Sequence, residues 1–267
     1  MPYLYCDTCR SIYLSPCPVE SDIVDFYRYA RSSCFWREKL LPATREVRRV
    51  KLFQPRVQWL LDVVDEYCPT ARRAIAVGYH NELLIEELCR IEDLPIHIVV
   101  TNPVADVEFA DTKLPRMEVR PKSIDELGEL EETDLFLAFD ILDRCSDPNK
   151  LIEAAAVTLS RGGLLMGTTT LGSGFDIQVL WDKAESVYLP DRLNLFSSEG
   201  LTLLFERHGF EVLEFSTPGM FDAEVVRDAI AAHPDAEWPR FIRYLIEARG
   251  DSILESLQEF LQRNRLS

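Results

Sequence analysis

The two cysteines near the start of the chain, Cys6 and Cys9, have the spacing of a zinc knuckle. Two thiolates three residues apart can bind one zinc ion, because the tight turn between them directs both sulfur atoms the same way. A structural zinc site usually has four ligands. Cys17 and Cys34 could supply the other two, but their spacing is not diagnostic, and no histidine precedes position 80. Two interpretations stay open: a zinc site, or free thiols in a short strand hairpin.

Strands and helices alternate in the middle of the chain. These elements must position the other polar residues that could form a site. Short apolar runs predict buried strands, and amphipathic stretches between them predict helices. This alternation is typical of an α/β protein with a parallel sheet covered on both faces. The predicted strands are residues 74–78, 96–101, 117–120, 134–140, 164–169 and 210–215, and the predicted helices are residues 82–90, 148–159 and 197–208.

Helical segments flank this region. Residues 44–67 have apolar side chains at helical spacing, with Pro55 at the start of a second helix. Strand signals stop after residue 216, and amphipathic helices are predicted between 223 and 263. The segment 45–56 is basic, and we interpret it as a solvated face or, alternatively, as a docking surface for an acidic partner.

Several segments resemble class I S-adenosylmethionine-dependent methyltransferases. Residues 140–148 (DILDRCSDP) are similar to that family's segment after its fourth strand, and residues 161–165 (RGGLL) to its turn into the fifth. Residues 190–197 and 209–212 resemble its late segment. The resemblance covers about residues 55–216, and the cysteine pair is similar to part of a zinc ribbon that some of these proteins carry in front.

The resemblance implies a Rossmann-like, doubly wound and mostly parallel sheet. We expect three parts: a small cysteine-containing N-terminal segment at 1–43, the methyltransferase-like α/β domain at 44–217, and a C-terminal helical extension at 218–267. The family's seventh strand has no counterpart in the strand signals after residue 216.

The resemblance also implies a cofactor site formed by Gly78, His80, Asn102 and Asp140. The family's glycine-rich loop keeps only its first glycine here, and Glu82 would place a negative charge near the cofactor's carboxylate. Asn102 stands where relatives have a carboxylate that holds both ribose hydroxyls. For His80, the alternative is a loop histidine bonded to backbone, and for Asp140 a solvated carboxylate at a helix start.

On the substrate side the resemblance implies Asp143, Arg192 and Asn194 as catalytic residues. Arg192 and Arg144 stand where relatives often have histidine. Arginine stays protonated at any working pH and is therefore a poor general base. Asp143 carries the same alternative as Asp140, a solvated carboxylate near the start of a helix.

Three functions remain open on these residues. The first is an S-adenosylmethionine-dependent methyltransferase acting on a small molecule or a sugar. The second is a pseudoenzyme, a non-catalytic methyltransferase-like protein that binds or assembles with a partner, such as a second copy or an active homologue. The third is an enzyme whose cleft binds a different, anionic ligand through Arg144 and Arg192.

The composition excludes other classes of function. The 267 residues include 29 Lys+Arg and 45 Asp+Glu, a formal net charge of −16. Phosphate neutralisation needs a basic face, so nucleic acid is not expected as a partner, nor is an anionic membrane. The sequence contains no long apolar span, and its first residues lack the pattern of a signal peptide, so we expect none; its seven cysteines fit free thiols in a reducing compartment. We therefore expect a cytoplasmic protein.

Overall fold

The computed structural model describes residues 2–109, 113–249 and 251–267. The chain forms two compact units, which are described separately. One comprises residues 17–169, and the other combines residues 2–16 with residues 170–267. The domain boundaries expected at 43 and 217 remain predictions.

A five-stranded parallel sheet forms the centre of the unit 17–169. Its strands are β3 (Arg73–Val77), β4 (His97–Thr101), β5 (Met117–Val119), β6 (Thr133–Phe139) and β7 (Leu159–Thr168). Their order is β5-β4-β3-β6-β7, and every neighbouring pair is parallel. The strand order therefore reverses at β3, as the doubly wound prediction requires.

Helices connect and cover these strands. They are α1 (Glu20–Tyr29), α2 (Arg31–Phe35), α3 (Leu41–Arg48), α4 (Gln54–Tyr67), α5 (Glu82–Cys89), α6 (Ala105–Glu108) and α7 (Pro148–Thr158). Wide helical turns at Trp36–Leu40 and Arg49–Phe53 join α2, α3 and α4, and a 3₁₀ turn spans Ile124–Glu129. Pro55 lies in the first turn of α4, as predicted.

The core of this unit lies between the sheet and its helices. Leu60 of α4 and Leu84 of α5 are fully buried against the apolar strand residues, among them Ile98 and Leu135. The central strands β3, β4 and β6 are buried on both faces, which explains why their sequences are continuous apolar runs rather than alternating ones.

The other unit begins with an antiparallel hairpin of β1 (Tyr3–Tyr5) and β2 (Ile12–Leu14). The strand β8 (Asn194–Leu195) pairs with β2. Helices α8 (Phe175–Leu180), α9 (Ser198–Arg207), α10 (Asp222–Ala232), α11 (Arg240–Arg249) and α12 (Asp251–Arg263) complete it. Apolar residues from the hairpin and these helices share one core, which includes Ile12, Val226 and Leu254. The predicted hairpin and C-terminal helices are confirmed.

The strand predicted at residues 210–215 is wrong. This segment has no regular structure, and Leu213 is half exposed. Its apolar and polar residues alternate as in a strand, but a strand forms only where a sheet edge is free to pair with it. No described residue pairs with residues 210–215. As predicted, none of the described residues after 216 forms a strand.

Within the described part of the chain, none of the helices is both long enough and apolar enough to cross a lipid bilayer.

Candidate functional site

The strand register of the unit 17–169 brings three predicted site residues to one edge of the sheet. Val77 at the end of β3 is level with Thr101 of β4 and Ala138 of β6. Gly78, Asn102 and Asp140 follow these strand ends. This is the carboxyl edge at the reversal of strand order, where ligands bind in open α/β sheets.

Gly78 is required at this edge by its backbone. Its φ of +150° is in a region that side chains rarely adopt, and a Cβ atom there would lie 2.5 Å from the carbonyl oxygen of Phe139. The Asn81 side chain would also be in contact with that Cβ. The space beside Gly78 is therefore filled by the chain itself.

The carboxamide of Asn102 is bonded to its own protein. Its Nδ2 donates to the carbonyl oxygen of Gly78 at 2.8 Å and to Oε2 of Glu108 at 3.0 Å. Its Oδ1 accepts from the backbone N–H of Val104 at 2.7 Å. The side chain thus uses three of the four hydrogen-bonding positions of an amide, and it is almost fully buried.

Two buried carboxyl groups meet His80 beside this amide. Glu108 ends α6 with its side chain 1% exposed, and its Oε1 accepts from the backbone N–H of His80 at 3.1 Å and lies 3.6 Å from His80 Nδ1. Glu82 is the first residue of α5 and is 5% exposed. Its Oε2 is buried and has no hydrogen-bond partner among the residues that the structure describes.

Burial changes the acidity of both carboxyl groups. It raises the pKa of Glu82 to about 7, and the nearby charge of Glu86 adds to this effect. Burial also raises the pKa of Glu108 well above its usual value, and the charge of Glu82 raises it further. The edge therefore holds two acids that strongly disfavour being ionised together.

Aromatic side chains enclose the loop between β3 and α5. Tyr27 of α1 stacks on Tyr79, with ring centroids 3.9 Å apart. Tyr27 and Trp36 also lie against the His80 ring, at centroid distances of 5.6 and 5.3 Å. Burial raises the pKa of Tyr79 and keeps its hydroxyl neutral.

Asp140 is held in an ion pair. Its Oδ2 accepts from Arg56 Nη1 at 2.6 Å, and its Oδ1 accepts from the Thr168 hydroxyl at 2.7 Å. Burial alone would raise the pKa of Asp140, but the guanidinium groups of Arg56 and Arg144 outweigh it, and the pKa is lowered. Arg56 belongs to the basic segment 45–56. This arginine is therefore ion-paired within the chain rather than part of a solvated face.

The predicted catalytic residues are divided between the two units. Asp143 is a buried residue of the unit 17–169. Arg192 and Asn194 belong to the other unit, where Arg192 pairs with Asp191 at 3.0 Å and Asn194 lies opposite Tyr13 in the β8–β2 pairing. Their roles, and an anion site formed by Arg144 and Arg192, stay predictions.

The zinc site predicted at Cys6 and Cys9 is not supported. Both residues lie between β1 and β2 as free thiols. The backbone N–H groups of Cys9 and Thr8 lower the pKa of Cys6. Among the described residues, the one set of three metal-ligating side chains that converge is His80, Glu82 and Glu108, which contains no cysteine.

Comparison with known proteins finds similarity in structure only. Neither a protein-family model nor a curated protein sequence matches the chain. A candidate sarcosine dimethylglycine methyltransferase from Galdieria sulphuraria matches with a TM-score of 0.50 and 17% identity over 78% of this chain and 82% of its own. The chain has the class I methyltransferase fold.

Other methyltransferase-fold structures match less well. A methyltransferase from Thermotoga maritima gives a TM-score of 0.47 and 19% identity over 72% of this chain and 81% of its own. The N-terminal domain of EvdMO1 was solved with S-adenosylhomocysteine bound. It gives a TM-score of 0.45 and 15% identity over 60% of this chain and 74% of its own.

The carboxyl edge of this methyltransferase fold does not fit S-adenosylmethionine. The resemblance implies that a ribose would bind at position 102, and the Asn102 amide there is bonded to Gly78 and Glu108. The backbone N–H of His80, which a cofactor could otherwise use, donates to Glu108. The methionine carboxylate would meet the buried carboxyl group of Glu82.

Sequence reasoning missed Glu108. It named Glu82 as an obstacle to the cofactor but gave no role to the acidic residues that follow Asn102. Asp106 and Glu108 are both acidic residues of α6, and the sequence does not distinguish them. In the structure the Asp106 side chain is exposed and pairs with Arg28, whereas the Glu108 side chain is buried. The single short turn of α6 makes this distinction, and no pattern in the sequence could have shown it.

Proposed function

We propose that this protein is a methyltransferase-fold protein that does not use S-adenosylmethionine and acts as a non-catalytic binding or assembly protein. One observation carries the proposal. The polar groups at the carboxyl edge of the sheet are bonded to one another through Asn102, Glu108 and the backbone of His80.

The cost of opening this network supports the proposal. Breaking it would leave Asn102 and Glu108 buried without their partners, and each unmade hydrogen bond in a buried place costs about 1–3 kcal/mol. A bound cofactor would have to replace these bonds and also tolerate the acidic side chains beside it. Active members of the fold have glycines at the positions of His80 and Glu82, so they do not meet this cost.

Calorimetric titration with S-adenosylmethionine and S-adenosylhomocysteine tests the proposal. We expect no heat of binding, and no change in melting temperature at millimolar ligand. The measurement is made on the full chain, once after chelator treatment and once after incubation with Zn²⁺. Agreement between the two shows that a bound metal does not change cofactor binding.

Micromolar binding of either ligand would overturn the proposal. The chain would then be an S-adenosylmethionine-dependent methyltransferase for a small molecule or a sugar, with Asp143, Arg192 and Asn194 as the residues to test on the substrate side.

The proposed partner is a protein rather than a nucleic acid. The net charge of −16 disfavours polyanions. The basic helices, residues 45–56, carry five basic residues, and three of them are ion-paired: Arg45 with Glu86, Arg49 with Glu46 and Glu87, and Arg56 with Asp140. The acidic partner considered for this surface is therefore less favoured than a second copy of the chain or an active homologue.

A further inference from the structure

His80, Glu82 and Glu108 form a cluster that nothing in the methyltransferase fold requires. They come from three places: the loop after β3, the first residue of α5 and the last residue of α6. Each offers one ligand atom, and these atoms all lie within 4.8 Å of one another. Two of the three side chains are almost completely buried.

Within the described ranges, one carboxylate oxygen of this cluster accepts no hydrogen bond. Glu82 Oε2 is buried and finds no partner among the described residues. Both oxygens of Glu108 already accept, from the His80 backbone N–H and from Asn102. Two acceptor groups facing each other in a buried place need either a proton or a cation between them.

The surrounding charges do not meet this need. The positive charge of Arg37 acts on both carboxyl groups, but its guanidinium donates to the carbonyl oxygens of Tyr27 and Arg28. Arg45 is paired with Glu86 on the next turn of α5. One divalent cation would neutralise the two carboxylates of Glu82 and Glu108 in full.

We propose that His80, Glu82 and Glu108 bind a divalent transition-metal ion, and that Zn²⁺ fits their donor set best. One imidazole nitrogen and two carboxylate oxygens suit zinc better than magnesium or calcium, which take oxygen ligands. Three protein ligands leave one coordination position for water or a partner's side chain.

The surroundings of the cluster have the features of a metal site. Asn102 donates to Glu108 Oε2 and so fixes the orientation of that carboxylate, as outer-shell groups do in metalloproteins. His80 is the most exposed of the three side chains, at 15%, and provides access from solvent. Ligand atoms on tetrahedral zinc lie roughly 3.3 Å apart, so binding would draw the three groups closer together.

This inference does not depend on the proposed function. The chain could bind zinc and also bind S-adenosylmethionine, or bind neither. The titrations of metal and of cofactor are separate, so the failure of one proposal is distinguishable from the failure of the other.

The test uses the full chain with Cys6 and Cys9 changed to serine, because this thiol pair would compete for zinc. The protein is freed of metal with a chelator and titrated with Zn²⁺ against a chromophoric competitor. We expect one ion per chain. With Co²⁺ as the probe, we expect weak visible bands and no thiolate-to-cobalt charge transfer, because none of the proposed ligands is a cysteine.

Glu→Gln variants distinguish the loss of a zinc ligand from the loss of a nearby negative charge. Glu82→Gln and Glu108→Gln should each weaken Zn²⁺ binding by more than about 100-fold, beyond the 10- to 100-fold typical of outer-shell changes. Glu86→Gln on the same helix removes the same charge but is not a ligand, and should change affinity by less than about threefold. Circular dichroism of the metal-free variants confirms that each is folded.

Three results would overturn the proposal. They are the absence of stoichiometric Zn²⁺ binding, a cobalt spectrum dominated by thiolate bands, and equal affinity in the Glu82, Glu108 and Glu86 variants. If a shared proton balances the two carboxyl groups instead, Glu82→Gln raises the melting temperature of the metal-free protein while Zn²⁺ leaves the parent protein unchanged.

Discussion

At the scale of single residues, Asn102 determines how the carboxyl edge of the sheet is used. A carboxylate at this position could accept hydrogen bonds from a ribose, but it could not donate to Gly78 and Glu108 as the amide does. The amide therefore links groups of the carboxyl edge to one another by hydrogen bonds. Gly78 supports the same arrangement, since its bare Cα allows Asn81 and Phe139 to approach.

Gly78→Ala should destabilise the fold by about 2–4 kcal/mol, because the new methyl group meets the backbone of Phe139 and requires a disfavoured φ. The measurement is the free energy of unfolding from urea denaturation. Gly128→Ala is the matched control: nothing lies within 4 Å of a Cβ there, and we expect a change below about 0.5 kcal/mol. Equal effects at the two glycines would contradict this account of the edge.

At the scale of elements, the edge is held by helices as well as by strands. The Arg56 side chain on α4 reaches Asp140 after β6, and Thr168 at the end of β7 bonds the same carboxylate. Helix α1 and the turn 36–40 supply the aromatic rings that pack on Tyr79 and His80. The residues predicted to face a cofactor are thus part of the packing between elements.

Replacing Arg56 by Met should lower the free energy of unfolding at pH 7 by about 1–2 kcal/mol, since Asp140 loses a charged hydrogen-bond donor in a partly exposed place. The folded-state pKa of Asp140 is lowered, so its ionised form stabilises the fold at neutral pH. That contribution is lost as pH falls through the lowered pKa. Urea denaturation at pH 7 and near pH 3 should therefore show a difference between parent and variant that shrinks in acid.

Arg207→Met is the control for this pH dependence, because it makes the same change of side chain at the last residue of α9, in the other unit. A difference between the Arg56→Met variant and the parent that stays constant down to pH 3 would show that the lost methylene packing, and not the ion pair, carries the effect.

At the scale of the whole molecule, charge separates the classes of partner. The excess of acidic residues is 16, and the arginines of the basic helices are paired in part with glutamates of α5. A protein with this balance repels polyanions at long range, and salt only screens that repulsion. A protein partner that binds through shape and apolar contact is compatible with it.

We expect no binding of duplex DNA or single-stranded RNA tighter than about 10⁻⁴ M at 150 mM salt, the weak end of nonspecific affinities. Fluorescence anisotropy with labelled oligonucleotides measures this, and the same titration at 50 mM salt should not reveal the steep gain that phosphate contacts produce. A salt-dependent rise in anisotropy would contradict the assignment of the basic helices to contacts within the chain.

The sequence by itself determined the alternation of strands and helices, the parallel sheet and the resemblance to methyltransferases. It did so because buried strands require continuous apolar runs and because caps such as Asp147 mark helix starts locally. It failed at residues 210–215, where alternation suggests a strand but pairing depends on a distant edge. Only the tertiary structure brought Glu108 into the core beside Glu82 and His80, because burial of a side chain is set by how α6 packs and not by its neighbours in sequence.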